Sequence, residues 1–290
     1  MPLPLELIGA STEPITQAVD ARWTMAYAAA LEDLDDRYFD TRRGPVLAHP
    51  LFPVCIEWAA VAAARRLADP AILTREEAAR GVHATHDLVL HRPVRAGDLL
   101  TTTATVELIE VRRPGAYQVL RLDTVDSSGA PVCTTRMGSL FLGVSVSGTP
   151  PARRCAEPPT ELPGLEPRER PTQVLTRAIS ATAAHVYTEC SRIWNPIHTD
   201  VAVAERAGLP GPILHGTATL ALAVSTIIRS SADDDPTSVH RVAGRFGAMV
   251  TMPSEVTVHL RRPDERWISF EVWNQQGHAV IRDGLVGLRT

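Results

Sequence analysis

The chain has 290 residues, 44% of them hydrophobic and 21% charged, with a formal net charge of −4. That length holds one large or two ordinary domains around a real core. The acidic balance and the lack of a basic run exclude a nucleic-acid backbone as the main partner, and no apolar stretch reaches the ~18–20 residues that cross a bilayer, so no membrane partner is expected.

In chain order, Met1 to Glu6 lacks the basic and apolar regions of a signal peptide, and the cytoplasm is the expected compartment. Trp23 to Leu34 reads as a helix, Asp35 to Pro50 as a loop, and the alanine-rich run Phe52 to Leu67 as a buried helix. Glu32, Asp33, Asp35 and Asp36 form an acidic cluster expected at a solvated edge. Strand-like runs follow at His86 to Leu90, Leu99 to Val111, Ala116 to Asp126 and Ala130 to Val144, with turns at Arg113-Pro114-Gly115 and Ser127-Ser128-Gly129. Residues 148–171 are proline-rich, have no apolar period and read as a linker. After it the order repeats. A short helix spans Ala181 to Cys190, a loop runs through Pro212, an apolar helix spans Gly216 to Arg229, and strands fall at Val239 to Phe246, Glu255 to Leu260, Arg266 to Trp273 and His278 to Leu288. The expected division is therefore 1–147, linker 148–171, and 172–290. Each half is one long helix followed by an antiparallel meander, an α+β pattern.

All 29 basic residues are arginine. Without lysine, Schiff-base chemistry with a carbonyl substrate or pyridoxal phosphate is excluded, as is a P-loop. No Gly-x-Gly-x-x-Gly is present, and no cofactor is expected. Cys55, Cys133, Cys155 and Cys190 are widely spaced. They read as free thiols, and no metal site is expected.

The second half carries the segment Asn195-Pro196-Ile197-His198, followed by Pro212-Ile213-Leu214-His215-Gly216 at the start of the apolar helix. These two clusters resemble the hydratase-2 motif of the MaoC-like family, the (R)-specific enoyl-CoA hydratases. Tyr27, Pro53, His83, Pro93, Ala96 and Gly97 resemble the non-catalytic first half of the double hot-dog members, and Arg245-Phe246 resembles their late strand. The resemblance implies a double hot-dog, two antiparallel sheets each wrapped around a central helix. It implies a hydro-lyase acting on an acyl-CoA or a carrier-bound acyl group in fatty acid or polyketide metabolism, and a homodimer of double hot-dogs. It also implies the roles. His198 is general acid/base, Asn195 its orienter and the Gly216 N–H an oxyanion donor at a helix N-terminus. Arg192, Ile193, His215, His83, Arg113 and Phe246 are candidate substrate-binding residues. With no lysine, Arg112-Arg113 or Arg261-Arg262 is the candidate for the CoA phosphates.

One position departs from the motif. Five residues before His198 the family expects aspartate, and this chain has Ile193. Glu189, Asp200 and Glu57 are the candidate replacements. Otherwise His198 works alone on an easier reaction, the elimination of water from an activated β-hydroxy thioester, a double-bond isomerisation or a ring closure, or the protein binds a thioester, or stabilises a partner subunit, without turnover.

Overall fold

Along 99–112 the side chains of Leu100, Thr102, Ala104 and Val106 are buried while their neighbours face outward. This period of two makes a strand with one face on a core, and most of the chain is built this way. The computed structural model describes residues 2–68, 80–149, 171–231, 234–262 and 264–289. The first half contains β1 (Leu3–Pro4), β2 (Ile15–Ala18), α1 (Ala21–Ala30), α2 (Asp36–Phe39), α3 (Pro53–Ala64), β3 (Gly81–Leu90), β4 (Leu99–Arg112), β5 (Gly115–Asp126), β6 (Pro131–Leu142) and β7 (Val146–Ser147). The second contains β8 (Gln173–Ile179), α4 (Ala183–Ser191), α5 (Val201–Arg206), α6 (Gly216–Ser231), β9 (Val239–Phe246), β10 (Ser254–Arg261), β11 (Trp267–Asn274) and β12 (Ala279–Leu288).

The fold is the expected double hot-dog. The two halves meet edge to edge in one ten-stranded sheet of order β2-β4-β5-β6-β3-β9-β12-β11-β10-β8, with β1 and β7 as a separate parallel pair. The seam is the antiparallel pair β3–β9, in register from Thr85 opposite Arg245 to Val89 opposite Arg241. Across it the Arg241 guanidinium donates to both Asp87 oxygens at 2.9 and 2.8 Å. Each half presses its long helix onto the sheet. Helix α6 buries every residue from Ala218 to Ile228, so a mostly apolar segment becomes the centre of the second core.

Three details differ from the sequence expectation. The short strands β2 and β8 open each half at the two outer edges of the sheet. Their exposure alternates without fully apolar inner positions, so their hydropathy signal is weak. Strand β3 starts at Gly81, before the run that reads as apolar. Helix α1 stops at Ala30 because Glu32 takes a left-handed conformation with φ 53°. Residues 150–170, most of the expected linker, and Cys155 lie outside the described residues.

Candidate active site

The segment 192–198 leaves α4 through Arg192, left-handed at φ 60°, and makes a tight 3-10 turn over Pro196–His198. Proline at the first turn position sets the backbone there. The Asn195 carbonyl accepts the His198 N–H at 3.1 Å, while the half-buried Asn195 side chain makes no hydrogen bond to a described residue. Asp200 caps α5 by accepting from Val203 N–H at 3.0 Å.

His198 is held from both sides. Its Nδ1 donates to the Ile213 carbonyl at 2.8 Å. A carbonyl can only accept, so the neutral ring carries its proton on Nδ1 and leaves Nε2 with a free lone pair. The His198 ring stacks on His215 at 3.6 Å with an interplanar angle of 25°. Burial holds the His198 pKa below the ordinary histidine value, with the Ile213 bond opposing. Burial, aided by the neighbouring His198, pushes His215 down to about 2. Both rings are therefore neutral near pH 7. His215 shares a 3.3 Å hydrogen bond with Thr188 and lies 5.0 Å from the Tyr187 ring. It is a fully buried packing and positioning residue.

Helix α6 begins one residue after His215. The His215 carbonyl accepts from Thr219 N–H, but the amides of Gly216, Thr217 and Ala218 have no acceptor among the described residues. Free amides at a helix N-terminus carry positive potential and suit a developing oxyanion. A Cβ on Gly216 would sit 3.1 Å from the Phe246 ring, so glycine lets this ring close over the helix start. Phe246 in turn lies 4.6 Å from the His83 ring of the first half. Gly216, Phe246 and His83 are thus brought together across the seam.

Other candidates fall elsewhere. The Arg192 guanidinium lies 4.0 Å over the Trp23 ring and 3.7 Å from Asp20, which ties α4 to α1. Arg113 is exposed at the β4–β5 turn, where none of these side chains touches it. Its neighbour Arg112 covers Tyr117 at 3.7 Å. Ile193 is 6% exposed and belongs to the apolar core. None of the replacement carboxylates reaches His198. Glu189 is exposed on the outer face of α4, and Asp200 is spent on its cap. Glu57 is buried against β6, accepting from Thr135 at 2.5 Å and from the Cys133 thiol at 3.8 Å. Among the described residues no carboxylate oxygen lies within 4.0 Å of a His198 nitrogen, and no group of three potential ligands could hold a metal ion.

Sequence reasoning missed a correspondence between the halves. Tyr27 and Tyr187, 160 residues apart, share a hydrogen bond of 3.3 Å. The same offset pairs the left-handed Glu32 with Arg192, the turn-opening Asp35 with Asn195, and the capping Asp40 with Asp200. It also pairs Asp33 with Ile193 and Tyr38 with His198. The first half therefore keeps the acid where the second has isoleucine, and has tyrosine where the second has histidine. Laying the halves on each other at Tyr27 and Tyr187 would have revealed this. Asp33 is no solvated edge. It is 3% exposed and 3.9 Å from His49 Nε2, which bonds Ser225 at 3.0 Å. Ser225 is nine residues along α6 from Gly216, roughly 13 Å at 1.5 Å per residue, so Asp33 cannot serve His198.

The chain is similar to known proteins. A family model described as a MaoC like domain matches residues 163–277, and one described as the FAS1-like dehydratase domain region matches residues 6–135. The chain is 29% identical over 220 residues to peroxisomal enoyl-CoA hydratase 2 of Arabidopsis thaliana, covering 72% of this chain and 68% of that one. It is 27% identical over 290 residues to 3-hydroxyacyl-thioester dehydratase Y of Mycobacterium tuberculosis, covering 97% and 91%. The fold superposes on a MaoC-like dehydratase from Phytophthora capsici with a TM-score of 0.82 at 20% identity, covering 98% and 96%.

Proposed function

The chain belongs to the MaoC-like hydratase/dehydratase family in its double hot-dog form, and from that premise we propose that it adds water to an enoyl thioester, or removes it from a 3-hydroxyacyl thioester, with His198 as its one acid/base group. The observation that carries this reading is the His198 Nδ1 bond to the Ile213 carbonyl, which leaves Nε2 as a neutral base on a ring stacked against His215, the residue before the unpaired amides of α6. One base suffices for the bookkeeping. Nε2 takes a proton from water as the hydroxyl oxygen bonds to the β-carbon, and the imidazolium returns that proton to the α-carbon. The thioester oxygen gains charge between these steps, and in this reading the Gly216 N–H donates to it. Dehydration runs the same steps backwards.

The acyl chain needs room. Among the described residues a cleft opens between α3 and the first-half sheet, lined by residues such as Leu3, Val61, Leu120 and Phe141, and it is our candidate for the acyl tail. Arg112-Arg113 remains our candidate for the phosphates of a CoA carrier, and a carrier-protein thioester is the other source of substrate. No described helix is long and apolar enough to cross a membrane. The unpaired thiols of Cys55, Cys133 and Cys190 suit a reducing compartment such as the cytoplasm, and pairing of two double hot-dogs into a homodimer completes the reading.

The test is loss of enoyl absorbance when purified protein meets crotonyl-CoA and longer enoyl-CoAs. Turnover by wild type that disappears in His198→Ala is expected. Equal silence of the two on every chain length overturns the reading. A single-base site also suits double-bond isomerisation, and product analysis separates the two by whether a 3-hydroxyacyl thioester forms.

A further inference from the structure

Between the start of α6 and the first-half cleft lies a strip of sheet whose inner face follows from the strand register. Gln118, Ser139 and His83 stand opposite one another on β5, β6 and β3. The next inner row holds Leu120, Met137 and His86, and continues across the seam to Gly244 on β9. Directly opposed residues point to the same side of a sheet. Gln118, Ser139, Leu120 and Met137 line the cleft. At the other end of the strip His83 touches Phe246, which covers Gly216. An acyl chain with its thioester oxygen at Gly216 and its tail in the cleft therefore crosses β3 at His83 and His86.

The two histidines differ. His83 Nε2 is satisfied by the Thr85 carbonyl at 3.1 Å. His86 is 3% exposed, and neither of its ring nitrogens has a partner among the described residues. Burial holds it neutral, with its pKa at about 4, so it offers one N–H donor and one lone pair. Its row neighbours Leu120 and Met137 show that an apolar side chain suits this row. Leaving a buried imidazole unpaired costs free energy that leucine would avoid. Both unmet nitrogens lie in the row that runs from the cleft-lining Leu120 and Met137 to Gly244.

We propose that His86 is a specificity-determining residue that hydrogen-bonds an oxygen, hydroxyl or keto, on the acyl chain beyond the reacting carbons, so that the substrate is an oxygenated acyl thioester. This rests on the hydro-lyase reading above. A site built to pair a substrate oxygen rejects the analogue lacking it, because its own polar group is then left unpaired.

The experiment compares kcat/KM for plain 2-enoyl-CoAs with matched chains carrying one hydroxyl or keto group at successive positions. For wild type, a preference of roughly tenfold or more is expected at one position. In His86→Leu the ratio at that position falls to about one, while His86→Gln, which keeps a donor and an acceptor, retains part of it. Thermal unfolding of each variant checks that it is folded, and the wild-type panel decides even if one is not. Equal turnover of plain and oxygenated chains by wild type, or an unchanged ratio in His86→Leu, overturns the inference and leaves the hydro-lyase reading standing. Silence of wild type on the whole panel overturns both.

Discussion

The two halves start their central helices differently. Helix α6 begins at Gly216 with three amides unpaired, and a ring from β9 closes over it. Helix α3 begins at Pro53, which has no N–H, and its next amides are spent: Val54 donates to Leu51 and Cys55 to Phe52. The cleft beside α3, lined by His49, Pro53, Leu90 and Val239, has about 10 Å³ of free volume and falls far below the usual size of a ligand site. His49 bonds Ser225 and the Leu51 amide, so both of its nitrogens are used. The same architecture thus yields an open helix terminus with a free base in one half and a closed, satisfied one in the other. What separates a site from a core here is whether polar groups are left unspent.

The comparison can be broken most severely at His198. His198→Ala should lower kcat by about 10³-fold or more, as loss of the only base does, whereas His49→Ala should spare turnover and lower the melting temperature. Comparable losses of rate in both variants would end the assignment of chemistry to the second half alone. Gly216→Pro gives α6 the start that α3 has. Removing one oxyanion donor costs about 10²–10³ in kcat, so Michaelis–Menten constants should show that fall, with circular dichroism to confirm folding. The reverse change, Pro53→Gly, should leave the rate unmoved.

Ile193→Asp moves the carboxylate of Asp33 to the matching place in the second half. A gain in kcat of about 10- to 100-fold is expected, with some loss of stability from a carboxylate in an apolar pocket. A drop in kcat would show that the isoleucine itself is needed by the reaction.

The pH dependence sharpens the contrast further. The His198 pKa is lowered, so its base form survives into mild acid, and the acid limb of kcat/KM should lie below about 6.5, the ordinary histidine value. Stability behaves differently. His49, His86 and His215 are buried neutral, with pKa values of about 3, 4 and 2. Depressed values mean that stability is complete above the unfolded pKa near 6.5 and is lost as pH falls. At pH 5 each group costs about 2 kcal/mol, and together about 6 kcal/mol, which rivals the whole stability of a typical domain. Denaturant titrations at pH 5 and pH 7.5 should show that gap. Glu57 has the opposite sign. Burial raises it to about 7, so its contribution is complete below about 4.5 and lost as pH rises through 7. Glu57→Gln should therefore raise stability at pH 8 by on the order of 2 kcal/mol and change it little at pH 5. This is the smallest of the effects.

Much of this was legible in the residues. The helices at Phe52 to Leu67 and Gly216 to Arg229, and the long strands, announce themselves through burial period. The spacing from Asn195 to Gly216 points to the histidine and the helix start. The edge strands β2 and β8 were not legible, because an edge needs no fully apolar face. The fate of Asp33 was hidden as well, since an acidic run gives no hint that one member turns inward to a histidine sixteen residues on. The contact of Arg192 with Trp23 was hidden too, because Trp23 lies in the other half and only the folded chain brings the two together.

The β3–β9 seam has a consequence for how the protein comes apart. Ladder hydrogen bonds and the Asp87–Arg241 pair make the halves one sheet, so cutting the covalent connection between them does not free two domains. Expressed as separate fragments, 1–147 and 172–290 would each present a long naked edge, β3 in one and β9 in the other. Such edges recruit any matching strand. Co-expressed, the fragments should reassemble and unfold in a single transition. Alone, each should aggregate, because inheritance of either half without the other leaves a protein with an open flank.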